Sequence, residues 1–205
     1  LATINPADMG WERDLRVCHE TLGMRGVRLF PEYHGYAIDG PLAHRVVAAC
    51  RERQLPIEIP CRLEDFRGRH YLDPAQGVSL TAIANLVAAH PEADIIITNA
   101  RGIARSALWQ RPELRQAAWY VDLSLAEVHY SLHRNPDRVG DLATVIKEGG
   151  ARHLLFGSHL PFSYLGSALV KRATLPVDDE TMAEISYRRA ARLFDLSLSG
   201  ETVSA

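Results

Sequence analysis

Arg152-His153-Leu154-Leu155-Phe156-Gly157-Ser158-His159-Leu160-Pro161-Phe162 is the stretch against which the rest of the chain is read. His153 to Phe156 suit a buried strand. Gly157-Ser158 breaks it, so that His159 emerges where the strand ends. In a closed parallel barrel, that end of the strand belongs to the active-site face. Working upstream, Ala118-Trp119-Tyr120-Val121-Asp122-Leu123-Ser124 has the same character. Ala93-Asp94-Ile95-Ile96-Ile97-Thr98-Asn99 has it most strongly, because its apolar run is continuous, as expected when both faces of a strand are covered.

Three further strands precede these: Leu55 to Pro60, Gly26 to Pro31, and an opening run, Leu1 to Pro6, that proline stops. Helical patterns separate them. Trp11, Leu15, Cys18 and Leu22 keep helical spacing, and Gly23 follows as a stop. Pro41 sits in the first turn of a helix after Asp39-Gly40, with Leu42, Val46, Val47 and Cys50 expected to face inward. Ser79 can cap a helix carrying Leu80, Ile83 and Val87, which His90-Pro91 ends. A helix over Leu142 to Lys147 stops at Gly149-Gly150. A last one starts near Asp178-Asp179, whose carboxylates suit a helix N-terminus, and turns Met182, Ile185 and Leu193 toward the core. Strands alternating with helices argue for parallel pairing through right-handed crossovers. A doubly wound sheet competes, but it usually carries a glycine-rich phosphate loop, and none occurs here. The expected fold is α/β, a TIM-barrel-like (β/α)8 arrangement with six of its eight units visible, built as a single domain over residues 1–205.

The composition narrows the function classes. A formal net charge of -2, with Lys and Arg spread along 205 residues, leaves no basic footprint for nucleic acid. No apolar run is long enough to span a bilayer, and the opening residues lack a signal-peptide pattern. Cys18, Cys50 and Cys61 are odd in number and unpaired in spacing, which reads as buried thiols in a reducing, cytoplasmic setting. The expected partner is a small anionic substrate, with no nucleic acid and no membrane; a homo-oligomer is left open.

Gly23-Met24-Arg25-Gly26-Val27-Arg28-Leu29, then Leu55-Pro56-Ile57, then Leu154 to Phe162, then Ala190-Ala191-Arg192-Leu193-Phe194 form an ordered set that resembles the amidohydrolase-related family. That family includes TIM-barrel metal-dependent hydrolases and aminocarboxymuconate-semialdehyde-type decarboxylases. The resemblance implies that the six strands are the third to eighth of the barrel. It implies that the first two strands are missing at the N-terminus, with the His-x-His metal motif on the first. It also implies a histidine ligand at the end of the fifth strand, where this chain has Pro60, and another at the end of the sixth, where it has Asn99. The family's aspartate in Gly-Ser-Asp-x-Pro is replaced by His159, and the asparagine before its terminal motif by Arg189. A zinc-like divalent cofactor is implied by the family, but its usual ligands are missing here.

The strand-end residues are unusually polar. His159 reads as a general acid or base, or as a replacement metal ligand; the competing reading is a structural histidine at a strand end. His34, His70 and Asp122 are further catalytic candidates, each with a local structural alternative: loop histidines for the first two, and a helix cap for Asp122. His34, His159 and Asp122 are the candidate metal set. In the long polar stretch from Arg62 to Gln76, Arg62, Asp65 and Arg67 suit an anionic substrate, since guanidinium forks bind carboxylates and acids orient them. A solvated loop of local ion pairs is the alternative. Asn99 and Arg101 complete the substrate-binding candidates. His129 and His133, four apart, lack the Glu of H-E-x-x-H and read as a surface pair. His19, His44, His90 and His153 read as structural, and Ser158 does not sit in a G-x-S-x-G elbow. The expectation is a hydrolase or carboxy-lyase acting on a small carboxylate, with a catalytically inactive ligand-binding or regulatory barrel as the alternative.

Overall fold

The computed structural model describes residues 1–62, 70–73, 75–100, 102–124, 141–161 and 164–198. Among them six parallel strands form one sheet: β1 (Ala2–Thr3), β2 (Val27–Arg28), β3 (Ile57–Pro60), β4 (Ile95–Thr98), β5 (Trp119–Asp122) and β6 (Leu154–Leu155). They neighbour one another in chain order, β1-β2-β3-β4-β5-β6. A doubly wound sheet would reverse its order at a switch point. This one does not, and its strands follow the sequential winding of a barrel. The strand read over His153 to Phe156 is shorter than expected: Gly150–His153 forms a tight 3-10 turn, and pairing is confined to Leu154 and Leu155.

Side-chain alternation sorts the sheet into two faces. In register, Val27 pairs with Ile57, Ile57 with Ile95, Ile95 with Trp119, and Val121 with Leu154. These residues are all but fully buried, in one cluster with helix residues Val46, Val47, Cys50, Ile83, Leu86 and Val87. They make the helix-covered face. The opposite face presents Arg28, Glu58, Ile96, Tyr120 and, nearer the strand ends, Thr98 and Asp122, and it is far more polar. The apolar core thus lies between sheet and helices, and the polar side chains gather on the barrel side.

The helices follow their sequence signals. α1 (Trp11–Arg16) runs on into a π-helical turn, Val17–Thr21, where the Leu22 N–H reaches back to Val17 at 3.0 Å. The wider turn slips the register, so Leu22 is exposed rather than core-facing as its spacing suggested. α2 (Pro31–His34) is a single turn after β2, and α3 (Pro41–Glu52) begins at Pro41 as expected. On α3 the buried residue of the first turn is Ala43, with Leu42 only partly covered. α4 (Leu80–Ala89) is capped by Ser79, whose hydroxyl accepts the Thr81 N–H at 3.2 Å. After β4 come two short elements that spacing did not reveal, a 3-10 turn at Ile103–Arg105 and α5 (Ala107–Gln110), which bury Ile103, Leu108 and Trp109. α6 (Asp141–Lys147) ends at Gly149, whose φ of 87° is the left-handed conformation that glycine adopts without strain.

α7 (Leu165–Ala173) follows β6. The final helix comprises α8 (Asp179–Ala183), a π turn over Glu184–Arg188, and α9 (Arg189–Leu193). Asp178 caps it by accepting the Thr181 N–H at 2.7 Å. This helix lies along β6: the Phe156 N–H donates to Ile185 O at 2.8 Å, and Arg189 Nη1 donates to Leu154 O at 2.7 Å and Ala151 O at 3.1 Å. Its far end meets the start of the sheet, where Arg25 Nη1 bonds Asp195 Oδ2 at 2.7 Å. The helix therefore connects the two ends of the arc. Cys50 and Cys61 are buried thiols and Cys18 is partly buried, all three unpaired. Among the described residues, no helix is long and apolar enough to cross a membrane.

Candidate functional site

The C-terminal strand ends converge on Asp122. Its carboxyl stands on the barrel-side face at the end of β5, and Oδ1 accepts the Asn99 N–H at 3.4 Å. Asn99 closes β4 with φ at 55°, a left-handed conformation that asparagine tolerates better than most residues. Its side chain ties three strand ends together: Nδ2 donates to Arg62 O at 3.0 Å, beyond β3, and Oδ1 accepts the Ser124 hydroxyl at 3.2 Å, beyond β5. Gly157 fits closely against this group. A Cβ there would strike the Asp122 carboxyl, lying 3.0 Å from Cγ and 3.1 Å from Cβ, so only glycine lets β6 pass.

The electrostatics of Asp122 are set by burial. Although part of the side chain meets solvent, desolvation of the carboxyl pushes its pKa up to about 6. The Ser124 hydroxyl and the Asn99 N–H oppose that rise, Glu58 adds to it, and Lys171 opposes it. Lys171, on α7, is 1% exposed, and its Nζ donates to Leu123 O. A buried lysine beside a buried carboxyl is a feature that the sequence reading did not isolate. Its signal is faint: the inward positions of α7 are Ala168 and Lys171, three apart, while Leu165, Leu169 and Val170 are exposed. Deeper on the same face, Arg28 Nη2 pairs with Glu58 Oε1 at 2.6 Å, and the Thr98 hydroxyl donates to the same oxygen at 3.2 Å.

The other candidates have local partners of their own. His159 follows β6, partly buried, with φ at 57°, just before a cis Leu160-Pro161 bond. Arg62 is held through its carbonyl by Asn99, as above. His34 ends α2, edge-on to Phe30 at 6.1 Å and stacked on Tyr36 at 6.4 Å; its Nδ1 and the Tyr36 hydroxyl are buried without a hydrogen-bond partner. His70 is exposed, and its Nδ1 accepts the Leu72 N–H at 3.2 Å in a local turn. The described end of that loop docks on the loop after β2: the Tyr33 hydroxyl donates to Asp73 at 3.0 Å, and the Gln76 N–H to Glu32 at 3.3 Å. A small crevice of about 20 Å³ between Phe30, Pro31, Cys61, Arg62 and Val78 marks the seam. Asp65, Arg67, Arg101, His129 and His133 lie outside the described residues.

The histidines read as structural have structural partners. His153 stacks on Trp119 with centroids 3.9 Å apart, its ring nitrogens facing Trp119 O and Arg115 O. His44 Nδ1 and His90 Nε2 are 2.9 Å apart.

A family model described as Amidohydrolase matches residues 5–196. The chain belongs to this family. Solved structures agree on the fold. 5-Carboxyvanillate decarboxylase from Sphingomonas paucimobilis superposes with a TM-score of 0.69 at 17% identity, over 96% of this chain and 66% of its own. 2,6-Dihydroxybenzoate decarboxylase from Rhizobium gives a TM-score of 0.65 at 17% identity, over 95% of this chain and 70% of its own. A structure described as amidohydrolase II gives 0.65 at 20% identity, over 95% and 70%. The chain spans about two thirds of the length of these structures. None of the curated proteins matches its sequence significantly.

The family resemblance implies a divalent metal, and the strand-end chemistry tests it. Pro60 has no side-chain donor. The Asn99 amide is spent on Arg62 O and Ser124. Among the described residues, no group of three or more His, Cys, Asp or Glu side chains is placed to hold an ion. These residues do not fit a metal held in the family's usual way.

Proposed function

We propose that this protein decarboxylates or hydrolyses a small carboxylate-bearing molecule at the mouth of the sheet, with Asp122 as the proton-transfer group. The observation that carries this reading is the Asp122 carboxyl, fixed by Asn99 and crowded by Gly157 at a strand end, with its pKa raised to about 6. A carboxyl tuned toward neutrality exchanges a proton far more readily near pH 6–7 than an ordinary one. Arg62 and Arg67 are the residues proposed to hold the substrate anion, and His159, with His34 and His70, to assist proton movement. For decarboxylation, the bond from the ring or chain carbon to the carboxylate breaks, CO2 leaves, and the carbon takes the proton. Two structures of similar fold are decarboxylases of 5-carboxyvanillate and 2,6-dihydroxybenzoate, so hydroxylated aromatic acids come first in the search.

The test is a screen of such acids, and of cyclic esters and amides bearing carboxylates, for CO2 release or hydrolysis. For a turned-over substrate, Asp122→Asn is expected to lower kcat by about 100-fold or more. Lys171→Met removes the charge that holds the Asp122 pKa down, so the pH at which that carboxyl loses its proton should move upward. Turnover by Asp122→Asn at the parent rate would defeat the assignment.

A second reading is a ligand-binding barrel without turnover. It is favoured by the Asn99 amide, which stands where the family resemblance implies a metal ligand and is instead committed to holding strand ends together. Saturable binding of a carboxylate with no product would support it.

A further inference from the structure

At the opposite end of the sheet from Asp122 lies a cavity of about 410 Å³, lined by Asp94, Tyr120, Arg152, His153, Arg189 and Arg192 among others. Its size falls within the roughly 300–1,000 Å³ of small-molecule sites. Asp94 immediately precedes β4, and Arg152 and His153 precede β6; Arg189 and Arg192 come from the last helix. Three guanidinium groups therefore share one concavity.

Their existing bonds leave donors to spare. Arg152 engages Gln116 through Nη1 and Nη2, Arg189 engages Ala151 O and Leu154 O through Nη1 alone, and Arg192 forks onto Glu184. The remaining N–H groups include all three Nε atoms, and guanidinium presents five donors in a rigid fork. The opposing charge is thin. Glu184 is occupied by Arg192 and stands 3.7 Å from Arg189, and Asp94 accepts the Tyr120 hydroxyl at 3.2 Å. Burial is the main cause that holds the Arg189 pKa below the ordinary arginine value; Glu184 and Tyr120 oppose it, and the like charges of Arg192 and Arg152 add to it.

We propose that this cavity is a second ligand site, which takes a small multiply charged anion, a phosphorylated or polycarboxylated molecule, through Arg152, Arg189 and Arg192. A lone carboxylate could occupy only one fork, whereas several anionic groups on a compact molecule can meet Arg152 on one side and Arg189 and Arg192 of the last helix on the other. The site is separate from the strand-end chemistry and does not depend on it.

Calorimetric titration of the whole chain at low ionic strength with pyrophosphate, citrate, inorganic phosphate and acetate tests this. Saturable binding of pyrophosphate or citrate, with acetate far weaker, is expected, and the tighter of the two shows whether phosphoryl or carboxyl groups are preferred. Arg152→Gln and Arg192→Gln should each weaken it by about fivefold or more, since each removes a charge-assisted contact. Asp94→Asn keeps the acceptor for Tyr120 while removing a negative wall, and should tighten it. Asp122→Asn should leave it unchanged, as should Arg16→Gln, an exposed arginine of α1. An absence of saturable binding, or an equal loss with Arg16→Gln, would overturn the proposal.

Discussion

Asp122, the last residue of β5, and Gly157, two residues beyond β6, belong together. The approach is so close that Gly157→Ala forces either the carboxyl or the end of β6 to move. Overpacking of this kind costs about 1–3 kcal/mol, so Gly157→Ala is expected to lower stability by that order in denaturant unfolding and to displace Asp122 from the Asn99 N–H. A variant as stable and as active as the parent would show that the contact relaxes freely. The raised pKa of Asp122 also has a stability sign. Its folded value, about 6, lies above the ordinary 3.8, so the folded chain holds the proton that the unfolded chain releases. That contribution is present in full below about pH 4 and is lost as pH rises through 6. Asp122→Asn should remove this slope. At this scale the sequence pointed to Asp122 and His159 through their strand-end positions. It did not point to Lys171, because a lysine in a helix is ordinarily solvated, and this one is buried where it reaches Leu123 O, just beyond β5.

The elements carry their own titration. His44 on α3 and His90 at the end of α4 stand nitrogen to nitrogen, which requires one ring to donate and the other to accept. Burial first, then the charges of His44 and Arg51, push His90 below its usual value. A folded pKa below the unfolded one gives stability that is present above about pH 6.5 and lost as pH falls through the folded value. His90→Gln is expected to reduce the loss of stability between pH 7 and 5, read as denaturant midpoints across that range; an unchanged pH slope would show that the pair does not couple α3 to α4. Helix starts were legible in Pro41, Ser79 and Asp178, because capping and proline geometry act within a few residues. The π turn after α1 was not, since the register slip that exposes Leu22 depends on how the helix meets the sheet. α5 escaped for a related reason: it is one turn long, too short for periodicity, and is held by burial of Trp109 and Leu108.

Over the whole molecule, strength should be greatest where both sheet neighbours are present. β3, β4 and β5 pair over three or four residues each and are buried against the helices, while among the described residues β1 pairs with β2 alone, over two residues. Hydrogen exchange is expected to protect the N–H groups of Ile57, Ile95 and Ile97 most and that of Ala2 far less. The Phe156 N–H should join the protected set, because Ile185 O on the last helix accepts it. Rapid exchange at Phe156 would show that the helix does not seal β6. The alternation of strands and helices, the strand order and the membership in the amidohydrolase family follow from the sequence alone, because periodicity and right-handed crossover are local rules that repeat along the chain. Tertiary structure alone decided which polar side chains meet. The bond from Asn99 to Arg62 and Ser124, the burial of Lys171 and the gathering of Arg152 with Arg189 and Arg192 join residues tens of positions apart, and no spacing rule reaches across that distance.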